Sequence, residues 1–215
     1  MFEELFDKEI PIERFMVIGD QTSLNIKVNV NELLKELEQF EDKWAPYNSH
    51  KDFIKREGLC IINEDGVNKQ GPALESLTDW NREHGTNWSE LDFNVSTPVY
   101  ENTMLKDVLK DLRSECYRSH FIKLPPGGYF PPHRDFSMDA FRVIMPVRVC
   151  NPPETRFMIE DRTLHWEHGR FYIINTLKEH TLFNASDGLD SIWLVLNVKL
   201  SKKSIMWSYK NMSIK

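Results

Sequence analysis

From Cys116 onward the chain abandons helical spacing and breaks into short apolar or alternating runs separated by turn residues. The runs are 117–124, 141–149, 156–160, 171–175, 180–183 and 191–200, with Pro125-Pro126-Gly127-Gly128 filling part of the first gap. Runs this short, rich in β-branched and aromatic residues and closed by Pro and Gly, read as strands. Several in close succession point to an antiparallel sandwich or barrel. The run 141–149 alternates cleanly, with Phe141, Val143, Met145, Val147 and Val149 on one face and Arg142, Ile144, Pro146 and Arg148 on the other. No internal repeat or low-complexity tract interrupts the pattern.

The first half is different. Asn29 and Glu32 have capping-box spacing, and Leu33, Leu34, Leu37, Phe40 and Trp44 form one apolar stripe of a helix that ends at Pro46. Leu105, Val108, Leu109 and Leu112 predict a second amphipathic helix begun near Asn102 or Thr103. The run 58–63 reads as a buried strand and 63–72 as a Gly-rich loop. The segment 74–98 is irregular, with Trp80 and Trp88 among polar residues. It is expected to be a long surface excursion, the alternative being a wrap around the mouth of a pocket. Residues 1–28 alternate short apolar and polar pieces and carry no nameable chemistry. Helices of the first half are expected to pack outside a β core built by the second.

Composition narrows the functional classes. With 215 residues, 40% hydrophobic and 28% charged, the chain fits one globular domain. A net charge of −6, with no dense Lys/Arg stripe, argues against a nucleic-acid partner. Cys60, Cys116 and Cys150 are widely spaced and form no C-x-x-C, so they read as free thiols in a reducing compartment. The N-terminus MFEELFDKEI is acidic where a signal peptide would be basic, and no window approaches a membrane span. The expectation is a cytoplasmic protein.

Within the strand-rich half, Pro131-Pro132-His133-Arg134-Asp135 is followed 45 residues after the Asp by His180. A His-x-Asp pair with a later lone His is the usual chain order of a 2-His-1-carboxylate triad, which takes one face of a non-haem Fe(II) and leaves the others open. On an extended strand residues i and i+2 share a side, so His133 and Asp135 can grip one metal, and His180 closes the face if its strand is a neighbour. Two prolines before His133 hold the chain extended. Arg142 and Arg148, about 20 Å apart along one strand, cannot both hold one small dicarboxylate.

Taken together, the Pro126-Gly127 turn, Pro132-His133, Arg142 nine residues after that His, Trp166-Glu167-x-Gly169 and the run Asn175 to His180 resemble the aspartyl/asparaginyl β-hydroxylase family of Fe(II)/2-oxoglutarate oxygenases. The resemblance covers about 80 residues, from Arg118 to Leu200. It implies an α+β protein with a mainly β core, a double-stranded β-helix of cupin or jelly-roll type, with residues 1–115 as a helical and mixed part, 116–200 as the catalytic core and 201–215 as a C-terminal tail. It also implies that His133 and His180 bind iron and that Arg142 contacts the 2-oxoglutarate carboxylate nearest the metal. Asp135 fits the triad of the wider superfamily, although some members of this family lack a carboxylate there. The implied reaction consumes O2 and 2-oxoglutarate and hydroxylates an unactivated C–H bond, that of an Asp, Asn or related side chain in a peptide or a small molecule.

One departure stands out. Such enzymes place an Arg or Lys about ten residues past the second His to bind the far carboxylate of 2-oxoglutarate, and here Asp190 and Ser191 stand there. Arg148 is the expected substitute, ahead of Lys178 and Lys199. Three other readings compete. A kinase catalytic loop fails because its required Asn is Ala140. Zinc hydrolysis lacks the H-E-x-x-H base. A cupin-like binding protein without turnover is the serious alternative.

Overall fold

The computed structural model describes residues 11–49, 55–135 and 139–213. The expectation about the N-terminal MFEELFDKEI lies outside the described residues. In chain order the elements are α1 (Ile12–Phe15), β1 (Gln21–Lys27), α2 (Val30–Leu37), β2 (Ala45–Pro46), β3 (Glu57–Asn63), α3 (Leu77–His84), β4 (Val95–Ser96), α4 (Pro98–Glu101), α5 (Leu105–Val108) and β5 (Cys116–Leu124). They continue with β6 (Tyr129–His133), β7 (Ala140–Arg148), β8 (Thr155–Ile159), β9 (Arg162–Thr163), β10 (Arg170–Ile174), β11 (His180–Asn184), β12 (Ser191–Lys199) and α6 (Lys202–Asn211).

All strand pairings are antiparallel and fall into two sheets. The larger runs β1-β10-β7-β12-β5-β3-β2, with β4 also on β3, and the smaller runs β6-β11-β8-β9. The chain crosses between the sheets repeatedly through its second half. This is the α+β, mainly β architecture of a double-stranded β-helix.

The alternation of β7 decides the layers. Phe141, Val143, Met145 and Val147 join a core under the helices, where Leu33, Leu37 and Phe40 also pack. Ile144 faces the other way, into a second core between the sheets with Ile122, Phe157, Tyr172 and Trp193. Each such fully buried side chain contributes roughly 1.5–3 kcal/mol. The strand stops at Arg148, one residue earlier than the pattern suggests, because Val149 turns to φ 52°.

Four regions depart from the sequence expectation. Residues 21–27 form an edge strand of the larger sheet, paired to β10. Residues 202–211, expected as a tail, form α6, whose N-cap Ser201 side chain accepts from Ser204 N. The helix expected over Leu105–Leu112 is fragmented. Only Leu105–Val108 is helical, and Leu109 leaves helical geometry at φ −100° and ψ 5°; upstream, Thr103 Oγ1 donates to Val99 O and Met104 N–H donates to Glu36 Oε2. Finally, the segment 74–98 contains α3, capped by Ser76, and it is no surface excursion: Phe93 is fully buried and Glu90 reaches the site described below. By contrast, Asn29 caps α2 as its spacing predicts, its Oδ1 accepting from Asn31 N and Glu32 N.

Candidate metal centre

β6 is the outer strand of the smaller sheet and its register with β11 is irregular between His133 and Phe130, so Pro131 and Pro132 sit where an edge and a bulge tolerate their missing N–H groups. β11 lies beside it and brings His180 directly opposite His133. The two ring centroids are 4.2 Å apart. Asp135 follows the end of β6, and its backbone N–H donates to Thr176 O at 2.9 Å, which ties the turn to the approach of β11. One ligand atom from each of His133, Asp135 and His180 lies within 4.8 Å of the others. Among the described residues this is the group of that kind.

The tautomers are set by the backbone. His133 Nδ1 lies 2.8 Å from Pro131 O, and His180 Nδ1 lies 3.1 Å from Lys178 O. A carbonyl oxygen can only accept, so Nδ1 is the protonated nitrogen in the neutral form of each ring, and Nε2 is the nitrogen whose lone pair would face a metal. Burial, and then the neighbouring His133, lower the pKa of His180 and keep it neutral.

Arg142, on β7, donates from Nε to Asp135 Oδ2 at 3.1 Å. Burial pushes the Asp135 carboxyl upward, but the charge of Arg142 and its hydrogen bond to the carboxylate outweigh this and hold the pKa below the ordinary value. Burial likewise lowers the Arg142 pKa, and Asp135 and Glu90 more than reverse that. Glu90 is the second anion of this end: it pairs with Arg118 at 2.7 Å and accepts from Asn197 Nδ2 at 2.7 Å.

His133, Asp135, His180 and Arg142 line one cavity between the sheets. Its lining joins polar side chains, Arg118, Asn197, Arg142 and Thr176, to an apolar wall of Ile122, Ile144, Phe157, Leu182 and Trp193, with Phe157 stacked on the His180 ring. Three lining residues keep buried polar atoms without a partner: Arg142 Nη1, Asn197 Oδ1 and both ring nitrogens of His120. Burial, reinforced by Arg118 and Arg142, drives the His120 pKa well below its usual value, so the ring is neutral. Arg118, His120 and Asn197 were not singled out as site residues from the sequence. The available signal was alternation: Arg118, His120 and Ile122 share one face of β5, and a His on the inner face of a core strand is out of place.

The remaining sequence-predicted residues are placed apart. Arg148 donates from Nε to Asp190 O at 3.1 Å, and its Nη2 lies 3.6 Å from Asp190 Oδ2. It is not among the residues lining the cavity. Ser191 is buried and accepts from Trp193 Nε1. Lys178 is held by Asp20 and Glu160. Trp193 lines the cavity, and Trp166 packs edge-on behind it, with ring centroids 5.1 Å apart.

The family model described as Aspartyl/Asparaginyl beta-hydroxylase matches residues 48–199. Among solved structures, a Pseudomonas putida prolyl-4-hydroxylase is 11% identical, covering 86% of this chain and 95% of its own, with a TM-score of 0.47. A Burkholderia pseudomallei oxidoreductase of the 2OG-Fe(II) oxygenase family is 12% identical, covering 77% and 78%, also at 0.47. A cupin 2 domain-containing protein from Halorhodospira halophila is 18% identical over 37% of this chain, with a TM-score of 0.31, and the match spans half of that protein's length. No curated protein matches the chain.

Proposed function

This chain belongs to the aspartyl/asparaginyl β-hydroxylase family, and from that premise we propose that it is an Fe(II)- and 2-oxoglutarate-dependent dioxygenase. In this reading it hydroxylates an unactivated C–H bond of an Asp- or Asn-type side chain, in a peptide or a small molecule. The observation that carries the proposal is the pair of histidines with Nδ1 committed to backbone carbonyls and Nε2 left free beside a carboxylate. Two neutral imidazoles and one ionised carboxylate on a single face suit Fe(II).

Bound there, Fe(II) with 2-oxoglutarate and O2 supplies the oxidising chemistry, in which one oxygen atom enters the C–H bond and the other accompanies decarboxylation of the keto acid to succinate. The protein's part is positional. His133, Asp135 and His180 hold one face of the metal. Arg142 keeps Asp135 ionised and oriented, and its unpartnered Nη1 is the donor for the near carboxylate of the keto acid. The apolar inner wall excludes water from the reaction. For the far carboxylate the lining offers His120 as a neutral donor, since Arg118 is already paired and Arg148 lies elsewhere. We place the enzyme in the cytoplasm, in keeping with Cys60, Cys116 and Cys150 as free thiols. None of the described helices is long and apolar enough to cross a membrane.

The same shortage of an unpaired cation favours one second reading, a cupin-like ligand-binding protein without turnover. A single experiment separates the two. Fe(II) and then 2-oxoglutarate are added anaerobically, and the weak visible charge-transfer band of a chelated keto acid is followed. The oxygenase reading expects the band in the native chain and its loss in His133→Ala. Iron binding without the band would favour the binding protein.

A further inference from the structure

Two arginines are buried among the described residues, and they differ in one respect. Arg118 is ion-paired to Glu90. Arg56, only 4% exposed, has no hydrogen bond or ion pair from its side chain to any described residue, and its Nε and Nη2 are buried without a partner. A guanidinium stays charged at any physiological pH, and a buried charge without a counter-ion is costly. Glu75 is the acid whose charge acts most directly on Arg56, but its carboxylate accepts from the backbone N–H and hydroxyl of Ser49.

What holds Arg56 is aromatic. Its Cζ lies 4.3 Å from the Phe130 ring centroid and 5.7 Å from that of Tyr47. A guanidinium on a ring face is oriented, and the buried Nε and Nη2 of Arg56 keep N–H donors whose hydrogen-bonding capacity a planar anion would satisfy. Phe130 also fixes the distance to the metal centre, because its ring is 6.2 Å from that of His133. Arg56, Phe130, His133, Arg118 and Asp135 line one cleft that opens beside the ligands. Arg56 does not line the inner cavity assigned to the keto acid.

We infer that Arg56 anchors a carboxylate of the substrate at the mouth of the metal cleft, so that the enzyme acts on a carbon a short way from an acidic group. Calling this ligand the substrate rests on the oxygenase reading. The anion site itself does not. The fork geometry matches a carboxylate bidentately, and either a small acid or an acidic residue of a peptide presents that group.

The test uses the full chain labelled with [15N]arginine, in which the Arg56 Nε–H resonance is the one absent from Arg56→Lys. Propionate, its amide, a terminally blocked tripeptide with a central Asp and, separately, 2-oxoglutarate are titrated in, with Mn(II) affinity measured by calorimetry. The resonance is expected to shift with at least one carboxylate and not with the amide, and affinity for that carboxylate to fall at least tenfold in Arg56→Met while Mn(II) affinity holds. A shift with the tripeptide alone identifies a polypeptide source, and a shift with both a small acid. No shift with any carboxylate overturns the inference, as does a shift produced only by 2-oxoglutarate, which would assign Arg56 to the cosubstrate. Should Mn(II) fail to bind while the resonance still shifts, the oxygenase reading falls and the anion site stands. If Arg56→Met does not fold, Arg56→Lys, which keeps the charge but not the fork, must still weaken carboxylate binding.

Discussion

Arg142 Nε and Asp135 Oδ2 are 3.1 Å apart, so the carboxylate of the candidate ligand set is also the counter-ion of a partly buried arginine on β7. The two sheets are thereby joined through the site. Asp135 is anchored at its backbone by Thr176 and at its side chain by Arg142, which leaves Oδ1 toward His133.

Removing the arginine therefore acts on the metal without touching a ligand. Arg142→Met is expected to lower Mn(II) or Fe(II) affinity about 10–100-fold, the usual effect of losing a partner behind a ligand. His180→Ala is expected to abolish binding with the fold retained. Calorimetric titration under argon measures both, and unchanged affinity in Arg142→Met would dissociate this arginine from the centre.

Acid stability reports on His120. Its folded pKa lies well below the ordinary 6.5, so below pH 6.5 the unfolded chain binds a proton that the folded chain refuses. Stability then rises with pH across that window and is lost on acidification. His120→Gln should flatten this limb by up to about 1.4 kcal/mol per pH unit between pH 6.5 and about 5, the remaining slope coming from groups such as His180. Urea titrations at several pH values give the slope directly. An identical slope in the variant would mean that His120 is protonated in the fold.

Gly169 of the Trp-Glu-x-Gly run has φ +80°, and a Cβ there would collide with the carbonyl oxygen of Val28. That carbonyl cannot retreat easily, since Val28 N–H donates to Gly169 O at 2.9 Å. Gly169→Ala is expected to cost at least about 2 kcal/mol in equilibrium denaturation. A loss below about 0.5 kcal/mol would show that the turn adapts.

Cys60, Cys116 and Cys150 are buried, and burial pushes each thiol up to about 12. At pH 8 the folded protein should leave all three unreacted with a disulfide reagent, and guanidinium should release all three together. A thiol that reacts quickly in the folded protein would reveal local opening of its strand.

The resemblance that pointed to the β-helix rested on the Pro126-Gly127 turn, Pro132-His133, Arg142, Trp166-Glu167-x-Gly169 and the run Asn175 to His180, and beside it the strand-length runs, the alternation in β7, the Asn29 cap and the His-x-Asp…His order were legible as local features. The structure bears out the two-sheet architecture and brings His133, Asp135 and His180 together. Local rules reached that far because strand period and turn chemistry act over a few residues. The strand at 21–27, the helix at 202–211 and the inward reach of Glu90 were missed for the opposite reason. Their partners are distant in the chain: β10 for the first and Arg118 and Asn197 for the last.

Sequence alone thus determined which residue types could bind a metal, although Asp135, expected on the same strand as His133, lies just past the end of that strand. Only the tertiary structure decided their surroundings: that Arg142 pairs with Asp135, that Arg148 turns to Asp190, and that Arg56 lies buried on Phe130 with no anion paired to it among the described residues. A side chain's direction follows from local backbone geometry, but its partner and its dielectric surroundings are set by strands that meet only when the sheets close.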